Sequence, residues 1–98
     1  MISPEEIEQI LIEHPSVDEA AVIGIYDIQW GERVRAVVVV KEGLSCEESE
    51  LIMHCHRRLA SFKRPESVIF TQRLPRNPLG KVLKRVLREE YGHPINDS

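Results

Sequence analysis

A chain of 98 residues makes one domain with one modest core and has no room for a large substrate cleft. With 42% hydrophobic and 30% charged residues it has the composition of a folding domain, which excludes wholesale disorder. The net charge of −3 argues against a protein built mainly to neutralise nucleic-acid phosphates, although basic residues gather locally after position 57.

Along the chain, the opening "SPEEIEQILIEHP" predicts a helix. Ser3 is its N-cap, Pro4 its first residue, and Glu6 closes a capping box, with Ile7, Ile10 and Leu11 on one face until Pro15 ends it. "VDEAAVIGI" follows as a strand whose run from Ala20 to Val22, with Ile23 and Ile25, implies burial, and Gly24 marks a bulge or close packing. "YDIQWGERV" reads as a connection, and "VRAVVVVKEG" is the strongest strand signal, expected to pair antiparallel with the first. Ser45 is expected to cap a second helix, with Glu48 completing another capping box and Leu51, Cys55 and Leu59 lining one face. The loop "ASFKRP" breaks at Pro65, "SVIFTQ" is a third strand, and "RLPRNPLGK" makes a turn. Val82, Leu83, Val86, Leu87 and Tyr91 then recur with helical period up to Gly92 and Pro94. The order α-β-β-α-β-α defines an α+β fold: a small three-stranded antiparallel or mixed sheet flanked by helices, with a domain over 1–92 and a frayed tail over 93–98.

No apolar run reaches the roughly 18 residues of a membrane span, and the N-terminus lacks a signal peptide's basic flank and apolar core. A cytoplasmic setting is therefore expected. Cys46 and Cys55 stand nine residues apart in one helical segment, a spacing that suits neither zinc nor a secreted disulfide framework, so both read as reduced thiols. In "MHCH", His54 and His56 would point to different faces of a helix, which makes them packing residues and leaves no metal site in the sequence. His14 and His93 are scattered, with no visible partner, and no Ser/His/Asp set, reactive thiol or carboxylate pair emerges from the spacing.

Three loops hold combinations that packing alone does not require: "DIQWGER", "SFKRP" and "RNPLGK". Trp30 is either a packing residue or a platform for a flat ligand. Lys63 and Arg64 either complement the negative end of a helix or recognise phosphate, for which guanidinium offers a fork of donors and ammonium a point charge. The helical period puts Lys81 in the first turn of the last helix, where backbone charge disfavours a cation by roughly 0.3–1 kcal/mol. A Walker loop is excluded, because Pro75 and Val82 occupy the places where that motif needs a glycine and a Ser or Thr. What remains is a lysine on a loop stiffened by Pro75 and Pro78 and freed at Gly80, able to carry one cation into a partner's site.

"ISPEEIEQIL", "VDEAAVIGIYDIQWGERVRAVVVV", "SFKRPESVIF" and "LPRNPLGKVLKR" together, in this order and at these intervals, resemble the C-terminal domain of AMP-forming acyl- and aryl-CoA synthetases. This is the adenylate-forming superfamily that also includes luciferases and peptide-synthetase adenylation domains. The resemblance runs from Ile2 to about Tyr91 and implies two-step chemistry: a carboxylic acid and ATP, with Mg, give an acyl-adenylate, and the acyl group then passes to coenzyme A. It implies that Lys81 enters the active site for adenylation, where an ammonium stabilises charge on the α-phosphate and carboxylate oxygens. It also implies cofactor contacts for Trp30, Phe62, Lys63, Arg64 and Gly80. Trp30 matches an aromatic residue of the coenzyme A side, and Phe62 and Arg64 match positions near the adenine or nucleotide phosphates. Glu66 departs from the basic residue that some relatives carry there, which passes contact with the coenzyme A phosphate to Lys63 or Arg64.

The phosphate-gripping loop, acyl pocket and adenine site of such an enzyme belong to an N-terminal domain, and Met1 begins where the family's middle would continue. The chain is thus expected to be an excised domain or fragment that partners that N-terminal domain, is inactive alone and binds no cofactor by itself. The alternative is a stand-alone binding or regulatory module that kept the fold without the enzyme. A nucleic-acid binder is disfavoured by the negative net charge and the lack of interleaved aromatics.

Overall fold

Four consecutive valines in a strand call for cover on both faces, and the fold supplies it. The computed structural model describes residues 3–29, 31–60 and 63–94. Its elements are α1 (Pro4–Ile12), β1 (Val17–Asp27), β2 (Gly31–Val40), α2 (Glu48–His56), β3 (Ser67–Phe70) and α3 (Lys84–Tyr91). β2 is central, antiparallel to β1 and parallel to β3, so the sheet is mixed.

Because strand side chains alternate between faces, the valine run serves two cores at once. Val34, Ala36 and Val38 join Val22 and Val68 under Ile7 and Leu11 of α1 and Leu51 and Cys55 of α2. Val37 and Val39 face the other way, with Ala21 and Ile23, and pack against Leu74 and Leu87 of α3's side. Each fully buried aliphatic side chain among these contributes about 1.5–3 kcal/mol.

Several local expectations are corrected by longer-range contacts. Ser3 does cap α1, accepting from the Glu6 N–H at 3.4 Å, but the Glu6 carboxylate pairs with Lys63 at 3.0 Å rather than closing a box. α2 starts at Glu48 after Glu47, without any side-chain cap, so Ser45 is not the N-cap. The Glu48 carboxylate is used elsewhere, accepting the Val68 N–H of β3 at 2.8 Å. The supposed connection "YDIQWGERV" is mostly strand: Tyr26 pairs with Glu32 and Asp27 with Gly31, and Ile28 and Gln29 enter the turn. Gly31, at φ +79°, supplies the left-handed residue such a short hairpin needs. Gly24 sits in register opposite Val34 with Glu32 folded over it, so close packing is the correct reading, and the bulge falls between Val17 and Glu19. β3 ends at Phe70, short of the expected Gln72.

The last helix is the largest correction. It begins at Lys84, and Val82 instead forms an antiparallel bridge with Arg76. Val82 packs on the α3-side core from extended backbone, which explains why its spacing imitated helix. Lys81 therefore lies outside the helix, in the preceding turn.

Two polar side chains, Arg35 and Ser67, are buried together on the α3 side of the sheet. Arg35 on β2, 3% exposed, donates from Nε to Ser67 Oγ at 2.8 Å and from Nη1 to both the Tyr91 and His93 carbonyls. Arg35→Leu strands all three acceptors and is expected to lower unfolding free energy by about 2–4 kcal/mol, read from the urea midpoint.

Candidate functional site

Lys81 sits at the end of a turn that one side chain organises. Asn77 Oδ1 accepts from the Leu79 and Lys81 N–H groups, both at 2.9 Å. The Asn77 N–H donates to the Lys81 carbonyl at 2.9 Å, and the Gly80 N–H donates to the Asn77 carbonyl at 2.9 Å. Gly80 closes the turn at φ +92°, a backbone state that side chains resist. Lys81 is exposed, and among the described residues its ammonium has no hydrogen-bond or ion-pair partner.

The turn is also bolted to the sheet. Arg76 donates to the Gly80 carbonyl at 2.6 Å and pairs with the Glu19 carboxylate near the start of β1. The Leu83 N–H donates to the Pro75 carbonyl at 2.9 Å, closing the base. A free cation on a fixed turn is thus presented to solvent beside the start of β1.

The second group of expected site residues lies elsewhere. Arg64 borders an open groove of about 390 Å³ with Glu32, Arg33 and Val34 of β2 and with His56, Pro65 and Glu66, close to the hairpin turn. Its Nε donates to the Leu59 carbonyl at 3.1 Å and its guanidinium donates to His56 Nε2 at 3.0 Å, so it closes the end of α2. Lys63 pairs with Glu6 of α1. Glu66 Oε2, shut off from solvent, lies against the Arg33 guanidinium, so its charge is met by a cation within the domain. Trp30 and Phe62 lie outside the described residues.

Lys81 and Gly80 are thus together on the turn tied to Glu19, and Lys63 and Arg64 are together in the loop after α2, in a different part of the domain. From Glu19, which anchors the Lys81 turn, to Asp27 at the hairpin, β1 extends about 26 Å at roughly 3.3 Å per residue.

Sequence reasoning missed three features. Asn77 and Arg76 escape notice because, although the stretch reads as a turn, the helical period assigns Lys81 to the helix after it and not to the turn that they brace. Lys84, the lysine actually in the first turn of α3, is compensated: its ammonium pairs with Glu8 at 2.8 Å and donates to the Val22 carbonyl at 2.7 Å. Three of the histidine side chains do have partners, His56 through Arg64. His54 donates to the Ile10 carbonyl at 2.7 Å, and His14 pairs with Glu50 at 2.8 Å.

His14, Cys46 and Glu50 each bring one possible metal ligand within 4.8 Å of the others. The Ser16 N–H donates to His14 Nδ1 at 3.0 Å, which assigns the ring proton to Nε2, facing Glu50. The nitrogen that a metal would need is therefore a donor, and the trio is a hydrogen-bonded link between the end of α1 and α2.

Fold and site define a class: a small α+β domain that offers an uncompensated lysine from a braced turn and carries a second basic loop after α2. A family model for the AMP-binding enzyme C-terminal domain matches residues 6–81. The long-chain-fatty-acid–CoA ligase of Mycobacterium tuberculosis is 47% identical over 94 residues, 96% of this chain and 18% of that protein. The 4-chlorobenzoate–CoA ligase of an Arthrobacter species is 46% identical over 91 residues, 93% of this chain and 17% of that one. The crystal structure of ATP-bound MatB from Rhodopseudomonas palustris superposes with a TM-score of 0.89 at 44% identity, covering 93% of this chain and 18% of that one. The chain belongs to the AMP-binding enzyme C-terminal domain family, and it spans less than a fifth of the length of these relatives.

Both thiols are free. Burial pushes Cys55 up to about 11 despite the opposing field of Arg58, and burial followed by the Glu50 charge raises Cys46. In the unfolded chain Cys55 would ionise near 9.0, so its protonated burial adds full stability below that pH and loses it as pH rises toward about 11. The denaturant midpoint should therefore fall across this window more steeply for the wild type than for Cys55→Ala, as urea titrations at a series of alkaline pH values would read.

Proposed function

We propose that this chain is the mobile lid of an AMP-forming acyl- or aryl-CoA synthetase, a domain over residues 1–92 that works on an N-terminal adenylation domain. Its substrates would be a carboxylic acid, ATP and coenzyme A, and the isolated chain would have no ligase activity. The observation that carries this reading is the unpartnered Lys81 ammonium on its braced turn, in a chain whose relatives are named as acid–CoA ligases.

Lys81 would stabilise charge gathering on the α-phosphate and carboxylate oxygens as the acyl-adenylate forms, without moving a proton. Gly80 lets the turn bring that ammonium forward. ATP would bring Mg with it, supplying further charge neutralisation at the phosphates. Trp30, Phe62, Lys63 and Arg64 would act on the nucleotide and coenzyme A side in the second step. Arg64 has donors to spare for a phosphate, since a guanidinium carries five N–H groups and its described bonds use two.

The separation of the two groups supports a swinging domain. Lys81 stands on the turn tied to Glu19, and Arg64 borders a groove with Glu32, Arg33 and Val34, so each loop would meet the active site in its own orientation.

The test joins this chain in frame to the N-terminal part of the Arthrobacter 4-chlorobenzoate–CoA ligase and measures ATP–pyrophosphate exchange with 4-chlorobenzoate. Lys81→Ala is expected to cut exchange by about 10²–10³-fold. It should leave thioester formation from supplied acyl-adenylate near the wild-type rate. Equal exchange with and without the lysine would overturn the assignment.

A further inference from the structure

We propose that Asn77, together with the Arg76–Glu19 pair, is a positioning residue for Lys81, making the adenylation step depend on them while thioester formation does not. The inference rests on the function proposed above and adds the residues that set the geometry of its central cation.

The Asn77 side chain takes the place of a backbone acceptor. Its Oδ1 receives two N–H groups, those of Leu79 and Lys81, and its own N–H meets the Lys81 carbonyl. Both peptide groups of Lys81 that flank its Cα are thereby fixed by one residue. Arg76 then fixes where the turn points, because its guanidinium bridges the Gly80 carbonyl and the Glu19 carboxylate on β1. The Lys81 side chain is long and rotatable, so a stable Cα is what limits the region its ammonium can reach.

Stability does not explain the arrangement. These bonds lie at the surface, where water competes for each donor and acceptor and the net gain per bond is small. Placement of a charge is different, since a shift of about 1 Å in a catalytic group can cost about 10²-fold in rate.

The experiment uses the same fusion to the 4-chlorobenzoate ligase N-terminal part, comparing wild type, Asn77→Ala, Asn77→Asp, Glu19→Gln, Lys81→Ala and the Asn77→Ala/Lys81→Ala double variant. Asn77→Ala is expected to lower pyrophosphate exchange by about 10–10²-fold, and Glu19→Gln by less, with thioester formation from supplied acyl-adenylate unchanged. Asn77→Asp keeps the acceptor oxygen and should recover most of the exchange. The double variant should be no slower than Lys81→Ala alone, because Asn77 acts through the lysine. Wild-type exchange in Asn77→Ala, an equal fall in both half-reactions, or a double variant slower than Lys81→Ala overturns the positioning role while leaving the proposed function standing.

If the wild-type fusion gives no exchange, or Lys81→Ala exchanges like wild type, the proposed function fails instead. Amide hydrogen exchange in the 98-residue chain then decides the positioning claim. Asn77→Ala should expose the Lys81 and Leu79 amides while Asn77→Asp keeps them protected, and unchanged protection in Asn77→Ala overturns it.

Discussion

The Arg35 guanidinium joins the central strand, its β3 neighbour and the end of α3 through one buried group. It rises from the central strand, bonds Ser67 of β3, and reaches the carbonyls of Tyr91 and His93 where α3 ends. The last carbonyls of a helix need donors, and a cation there also meets the negative end of the helix dipole. A hydrophobic residue could fill the space but could not satisfy those groups. Burial lowers the affinity of Arg35 for its proton, and the fields of Glu66 and Glu48 work in the opposite direction. With the end of α3 pinned to the sheet and its start tied through Lys84 to Glu8 and Val22, the segment just before it has little freedom. That segment is the Lys81 turn.

The sheet and its three helices form a body whose strands are packed on both faces, and such interiors transmit displacement instead of absorbing it. In the lid role proposed above, rotation of the whole would carry the Lys81 turn and the Arg64 groove as fixed attachments.

Much of this was readable from the residues because apolar period and β-branching report burial directly. The valine run announced the strongest strand and its antiparallel partner, Ser3 and Pro4 announced α1, and the four motifs in order carried the family. What was not readable depended on partners distant in sequence. Ser45 with Glu48 has the spacing of a capping box, but the Glu48 carboxylate is drawn off by Val68, twenty positions later. Val82 has the right spacing for a helix and the right hydrophobicity for the core, and extended backbone delivers it there equally well. The apparent electrostatic anomaly of Lys81 dissolved for the same reason: the lysine in the helix's first turn is Lys84, and a glutamate answers it. The partnership of Asn77 with Lys81 was within reach, since an Asn four positions before a lysine, in a Pro and Gly-rich stretch, is a turn-closing signature.

Both margins of the sheet carry a glutamate from a neighbouring helix. Glu8 accepts the Val22 N–H on the β1 side, with Lys84 on the carbonyl of the same residue, and Glu48 accepts the Val68 N–H on the β3 side. Open strand edges invite other strands, whether from copies of the same chain or from unfolded segments nearby. Occupying those backbone groups with its own side chains keeps the domain from fastening to passing chains, so that what it touches is decided by its loops and not by its margins.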